Sequence, residues 1–177
     1  MGQQGKHLNS IKVSHEKHTA GCATEIMAIP ETVCISMSQH IGAPCKPLVK
    51  KGDQVKVGQL IGDTDAFVSA PIHSSVSGTV KEISTIRSVT GGEDQVVIIE
   101  TDGNQDVCEE IKPPVINDMK DFIAAVRASG LVGLGGASFP THIKLNPKNL
   151  EEVDTLIVNA AECEPFITSD HRLMLEN

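Results

Sequence analysis

Aromatic side chains are nearly absent: the 177 residues include four Phe and neither Tyr nor Trp. A core must therefore come from Val, Ile, Leu and Ala. Recognition by base stacking, on which single-stranded nucleic-acid binders depend, has almost no material to work with. Positive charge is also short. Lys and Arg number 15 against 23 Asp and Glu, a formal net charge of −8, which argues against a phosphate-backbone partner and so against nucleic acid. No run approaches the ~18 consecutive apolar residues of a membrane-spanning helix. The N-terminal MGQQGKHLNSIKVSHEKH lacks the apolar stretch of a signal peptide. Cysteines are few and dispersed: Cys22, Cys34, Cys45, Cys108 and Cys163 contain no CxxC pair. That is the pattern of reduced thiols rather than a disulfide framework, and it is unsuited to a cysteine-ligated iron–sulfur cluster within these residues.

What remains is ordinary globular composition, 40% hydrophobic and 21% charged, in three textures. Residues 1–37 read as a polar N-terminal arm with one strand-like run, Thr32-Val33-Cys34-Ile35-Ser36. In residues 38–112, short Val- and Ile-rich runs alternate with Gly, Pro and Asp turns, and Gly91-Gly92 between two such runs predicts a hairpin. This section reads as a small β barrel or sandwich. After Pro113-Pro114 the texture becomes helical. Asn117 is placed to cap a helix through DMKDFIAAVRAS, with Met119, Phe122, Ile123 and Val126 on one face and Gly130 ending it. A glycine-rich loop follows, then Thr155-Leu156-Ile157-Val158-Asn159, an apolar run suited to a buried strand, and a helix start at Thr168-Ser169-Asp170. Residues 113–177 thus open an α/β layer that needs further strands to be buried, and a piece of a longer protein is expected.

The turns carry a first resemblance. Lys51-Gly52-Asp53-Gln54-Val55, Val57-Gly58-Gln59 and Pro71…Ser77-Gly78-Thr79-Val80 resemble the two matched β halves of the biotinyl/lipoyl-like barrel-sandwich family. Carrier members of that family present a modifiable Lys at the hairpin between the halves. Here that hairpin reads Gly62-Asp63-Thr64-Asp65-Ala66-Phe67-Val68-Ser69-Ala70. Without an amine to tether a prosthetic arm, the carrier role fails and a docking or scaffolding module is expected. Lys46, Lys50, Lys51 and Lys56 form a local basic patch, read as a solvated β face, and His40 and His73 read as structural histidines.

The second signal is Gly130-Leu131-Val132-Gly133-Leu134-Gly135-Gly136-Ala137-Ser138-Phe139-Pro140-Thr141-His142-Ile143-Lys144. Such glycines let backbone N–H groups approach a phosphate, and Lys144 can add a point charge. The sequence matches neither the P-loop nor the dinucleotide fingerprint. The third signal is Asn159-Ala160-Ala161-Glu162-Cys163-Glu164-Pro165-Phe166, whose amide and carboxylates can hydrogen-bond ribityl or ribose hydroxyls.

Together these segments resemble the flavin-binding domain shared by the NADH-oxidising subunit of respiratory complex I and the C subunit of the Rnf complexes. The complex I pattern is roughly GLRGRGGAGFPTGxK followed by NADExEPG. This chain departs from it at Val132, Leu134, Ser138, His142, Ala161 and Phe166, and those departures, with the barrel block ahead of the loop, resemble the Rnf branch. The resemblance implies an α+β chain: a barrel-sandwich hybrid module and then the truncated start of an α/β FMN-binding domain. It implies a subunit of a ferredoxin:NAD oxidoreductase that couples electron transfer to ion translocation, peripheral at the cytoplasmic face of the cell membrane beside the other Rnf subunits. It also implies FMN and NAD(H) in the full-length protein, with 4Fe-4S clusters downstream and none here. Gly133, Gly135, Gly136, Phe139, Lys144, Asn159, Glu162 and Glu164 are the implied cofactor-binding residues, and no side chain is needed as general acid or base because hydride passes between two rings.

Two other readings stand beside it: the flavoprotein subunit of a complex I-like, hydrogenase or formate dehydrogenase NADH module, or a non-catalytic docking scaffold. His15-x2-His18-x3-Cys22 has metal-ligand spacing but lacks a second thiol nearby. It reads better as a polar arm with incidental histidines than as a zinc site.

Overall fold

The computed structural model describes residues 13–88, 91–134 and 136–176. They belong to two compact units, one of Ala28–Glu152 and the other of Met1–Met27 with Val153–Asn177. The expected barrel lies in the larger unit. It contains β1 (Thr32–Ser36), β2 (Lys46–Pro47), β3 (Gln54–Val55), β4 (Leu60–Asp63), β5 (Ile72–His73), β6 (Gly78–Arg87) and β7 (Glu93–Thr101). A four-stranded sheet runs β1-β7-β6-β3 and a three-stranded sheet runs β2-β4-β5, with antiparallel neighbours throughout. Both sheets turn aliphatic side chains inward, as a chain so poor in aromatics must. Ile35, Val55, Ile61, Ile72, Val80, Val97 and Ile99 form one cluster with Met37, Cys45 and Val76.

The hairpin predicted at Gly91-Gly92 joins β6 to β7. Its register runs from Gly78 opposite Thr101 to Arg87 opposite Glu93, and the Ser88 amide donates to the Gly92 carbonyl at 2.9 Å. The two matched turns interlock. The Gly52 amide donates to Val80 O and the Val80 amide to Asp53 O, both at 2.8 Å. Asp53 Oδ2 in turn accepts the Lys50 amide at 2.9 Å. Gly78 has φ +156°, and a Cβ there would lie 2.1 Å from the Glu100 carbonyl oxygen, so no side chain fits where the second turn crosses β7.

Helix α1 (Met119–Ala128) follows the double proline and short α2 (Thr141–Lys144) follows the glycine loop, with a 3-10 turn at Leu150–Glu152. The cap of α1 differs from expectation. Asp118, not Asn117, is the N-cap: its backbone is extended (φ −146°, ψ 179°) and its carboxylate accepts the Asp121 amide at 2.8 Å. The reason is spacing, since the N-cap acceptor serves the N–H three residues on. Asn117 stands one position outside and donates its backbone and side-chain N–H groups to Asp121 Oδ2 at 3.1 and 3.0 Å.

In the smaller unit, α3 (Ser169–Glu176) starts where Thr168-Ser169-Asp170 predicts. The strand expected at Thr155–Asn159 does not form: these residues have no regular structure, and Leu156, Ile157 and Val158 are 77%, 84% and 80% exposed. Apolar, β-branched sequence gives a run that suits a sheet, but a strand exists only when a neighbour completes its ladder. Among the described residues, no strand pairs with it.

Candidate functional site

The glycine-rich segment forms a loop closed at its base. Thr141 N–H donates to Leu131 O and Gly133 N–H to Phe139 O, both at 3.0 Å, and Val132 bridges Pro140. Within the closed loop, Gly136 (φ +64°) and Ser138 (φ +49°) are both left-handed. Gly135 lies outside the described residues. Successive turns of this kind gather backbone N–H groups into anion-binding concavities. Lys144, in the last turn of α2, is exposed and sits 6.0 Å from the Phe139 ring centroid, at the outer limit of a cation–π contact. Among the described residues it has no carboxylate partner.

The start of the loop is fixed on the barrel. Arg127, in the last turn of α1, sets Nη2 2.9 Å from Asp63 Oδ1 and 3.0 Å from Thr64 O, with Nη1 3.4 Å from Asp63 Oδ2. Burial pushes the Asp63 carboxyl up, but the Arg127 and Thr64 hydrogen bonds and the charges of Arg127 and His73 outweigh it and hold the group below its ordinary value. Gly130 closes α1 at φ +72°, where an added Cβ would stand 2.5 Å from Pro71 O and 3.1 Å from His73 Nδ1. His73 is held below its usual pKa by burial, against the opposing pull of Asp63. His142 is buried, its Nδ1 has no hydrogen-bond partner among the described residues, and burial followed by the Arg127 charge depresses its pKa.

At the barrel hairpin, Ser69 Oγ donates to Ala66 O at 2.6 Å, while Phe67 is 82% exposed. Behind it, Ala70 N–H donates to His40 Nε2 at 3.1 Å. Nε2 also lies 3.0 Å from Ala70 O, and Nδ1 lies 3.2 Å from Ile41 O. Cys45 Sγ donates to Ala70 O at 3.2 Å, and burial, then the Asp63 charge, raises its thiol pKa against the opposing effect of Arg127. Of the basic patch, Lys56 pairs with Glu109 at 3.0 Å.

The acidic segment belongs to the smaller unit. Asn159 Oδ1 accepts the Ala161 amide at 3.0 Å, folding an Asx turn. Glu162 Oε1 accepts the amides of Asp170 and His171 at 2.8 and 3.4 Å, so this carboxylate caps α3. The Glu164 side chain is exposed. The residue that sequence reading missed is Lys17, whose Nζ donates to Glu162 O, Glu164 O and Ile167 O at 2.9, 2.6 and 2.6 Å. A lone lysine in a polar arm carries no local signal of that role, and neither does an arginine in an amphipathic helix of its tie to Asp63. Near Lys17, His18 Nε2 lies 3.2 Å from Glu16 Oε2. Among the described residues, no three His, Cys, Asp or Glu side chains gather as a metal site, and no helix is long and apolar enough to cross a membrane.

A barrel sandwich with an amine-free hairpin, joined through α1 to a closed glycine loop, defines a class: a barrel-sandwich module leading into a glycine-loop domain. Sequence comparison resolves the class. The RnfC Barrel sandwich hybrid domain matches residues 6–104, and the Nuo51 FMN-binding domain matches residues 126–177. The chain belongs to the RnfC family. It is 47% identical over 166 residues to the C subunit of the proton-translocating ferredoxin:NAD(+) oxidoreductase complex of Clostridium ljungdahlii, covering 92% of this chain and 36% of that protein. It is 49% identical over 148 residues to the Na(+)-translocating counterpart of Acetobacterium woodii, covering 82% and 33%. With the C subunit of the ion-translocating oxidoreductase complex of Rhodobacter capsulatus it shares 36% identity over 167 residues, covering 92% and 32%. The chain thus spans about a third of the length of these relatives.

The residues present fit an FMN phosphate. The left-handed pair at Gly136 and Ser138 shapes a loop able to gather N–H donors, and Lys144 offers a cation that no carboxylate occupies among the described residues.

Proposed function

We propose that this chain is the N-terminal part of the flavin-handling subunit of an ion-translocating ferredoxin:NAD oxidoreductase. In the complete protein, FMN would exchange hydride with NAD(H) and pass single electrons to 4Fe-4S clusters held elsewhere in it. The residues of this chain bind and orient. Gly133, Gly135 and Gly136 leave room for close approach to the phosphate, Lys144 offsets its charge, and Phe139 forms a wall beside it. Asn159, Glu162 and Glu164 act on the ribityl chain or the nicotinamide side. The arm of residues 1–37, which lends β1 to the barrel, the barrel of 38–112 and the flavin-domain start at 113–177 are the working parts. The barrel serves as a platform, and the protein lies at the cytoplasmic face of the membrane against the other members of its complex.

The observation that carries this reading is the closed glycine loop ending in Lys144, which pairs with no carboxylate among the described residues, within residues matched by an FMN-binding domain. The test uses the full-length protein purified as wild type, Lys144→Ala and Glu164→Ala. Stoichiometric FMN and NADH oxidation in the wild type, with flavin content reduced in both variants, is the expected result. Unchanged flavin content and NADH oxidation in both would support a non-catalytic scaffold instead.

A further inference from the structure

The Ala161–Ile167 segment has no helix or strand to hold its shape. Its backbone is instead gathered by the N-terminal arm. Lys17 has three ammonium N–H bonds, and they meet three backbone carbonyls, those of Glu162, Glu164 and Ile167, at 2.9, 2.6 and 2.6 Å. Next to it, Glu16 N–H donates to Pro165 O at 3.0 Å, and the hydroxyls of Thr19 and Thr168 meet at 2.7 Å. Four carbonyls from a six-residue stretch therefore turn towards one short piece of arm. The partners are carbonyls, not carboxylates. The Glu164 carboxylate is left without an ion pair among the described residues, and Glu162 keeps its own for the amides of α3.

We propose that Lys17 is a positioning residue for the acidic loop, acting as a built-in cation that draws three carbonyl oxygens to one centre and thereby sets the backbone from which Glu162 and Glu164 project. Hydrogen bonds from a charged donor are about twice as strong as neutral ones, and three of them on one nitrogen fix a loop that has no ladder of its own. Without the ammonium, the three carbonyls turn back to water and the loop samples other shapes. The inference rests on the reading of this loop as flavin-facing, and it assigns no chemical step to Lys17.

The experiment uses the full-length protein with Lys17→Met, which keeps length and removes charge and donors, and Lys17→Arg, which keeps both. Amide hydrogen exchange at residues 162–168 is read in the flavin-free protein, and FMN affinity by fluorescence titration. Lys17→Met is expected to speed exchange and weaken FMN binding, each by about tenfold, as the loss of one charged interaction predicts. Lys17→Arg is expected to stay within about threefold of wild type on the same scale. Unchanged exchange in Lys17→Met overturns the contact. Faster exchange with unchanged FMN affinity overturns the positioning role and leaves a structural tie. If the wild type binds no FMN, the flavin reading fails, while the exchange arm still decides the contact. If Lys17→Met does not fold, Lys17→Gln takes its place in both measurements.

Discussion

Arg127 Nη2 lies 2.9 Å from Asp63 Oδ1, joining the last turn of α1 to the end of β4. The place where a carrier barrel keeps its modifiable hairpin free is here used to fasten the helix that leads into the glycine loop. The side chains are 35% and 29% exposed, so the pair is screened by water and its worth is modest, about 1 kcal/mol. Its effect is on geometry.

Asp63→Asn is expected to lower the melting temperature of the protein at pH 7 by about 3 °C. The pH dependence follows from the carboxyl being held below its ordinary value. The pair's contribution is full above about pH 4, the unfolded carboxyl range, and is lost as pH falls through the folded value. Thermal melts of wild type and variant between pH 7 and 3 should converge at the acid end. Parallel curves would show that the ion pair contributes nothing.

His142 makes a separate prediction. Burial, then Arg127, depresses its pKa, so the folded protein resists a proton that the unfolded chain accepts below about pH 6.5. Stability from this group is full above that pH and declines as pH falls towards the lower folded value. His142→Leu removes both the titration and the unpartnered Nδ1. Its melting temperature should change less between pH 7 and 5 than that of the wild type, and an equal slope would rule out His142 as the source.

Gly130→Ala should be costly for two independent reasons, the φ of +72° and the 2.5 Å approach to Pro71 O. Together they predict a loss of about 2 kcal/mol or more in denaturant unfolding. Gly91→Ala is the control: it has a similar φ of +90° but meets nothing within 4 Å. Equal losses at the two sites would mean that the contact with Pro71 adds nothing.

Ser138 holds φ +49° at a position where the resembling pattern carries glycine. Ser138→Gly should relieve that strain and stabilise the protein by up to about 1 kcal/mol. A destabilised variant in urea titration would indicate that the serine side chain contributes more than its backbone costs.

The elements legible in the sequence are those that short-range chemistry decides. Thr32–Ser36 reads as a strand, Gly91-Gly92 as a hairpin and Ser169 as a helix start, and each forms there. Asn117 and Asp118 show the limit of that reading. Both are good caps, and only the spacing to the Asp121 amide separates them. Thr155–Asn159 fails for a different reason: its composition suits a sheet, but pairing depends on a neighbour that the run itself cannot specify. For the candidate site, the loop is visible through its glycines, whereas its supports are not. Arg127 and Asp63 are 64 residues apart, and Lys17 is 145 residues from Glu162. No local pattern links such partners, because only the finished fold brings them together.

These separations also impose an order of assembly during synthesis. Every strand of the barrel precedes α1 in the chain, so Arg127 leaves the ribosome when Asp63 can already be in place, and the glycine loop docks on a finished surface. The arm behaves in the opposite way. Lys17 is made well before its partners, and its third carbonyl comes 150 residues later, which at typical elongation rates is about ten seconds or more. An ammonium made early thus waits in water until the acidic loop arrives, and its capture closes the smaller unit.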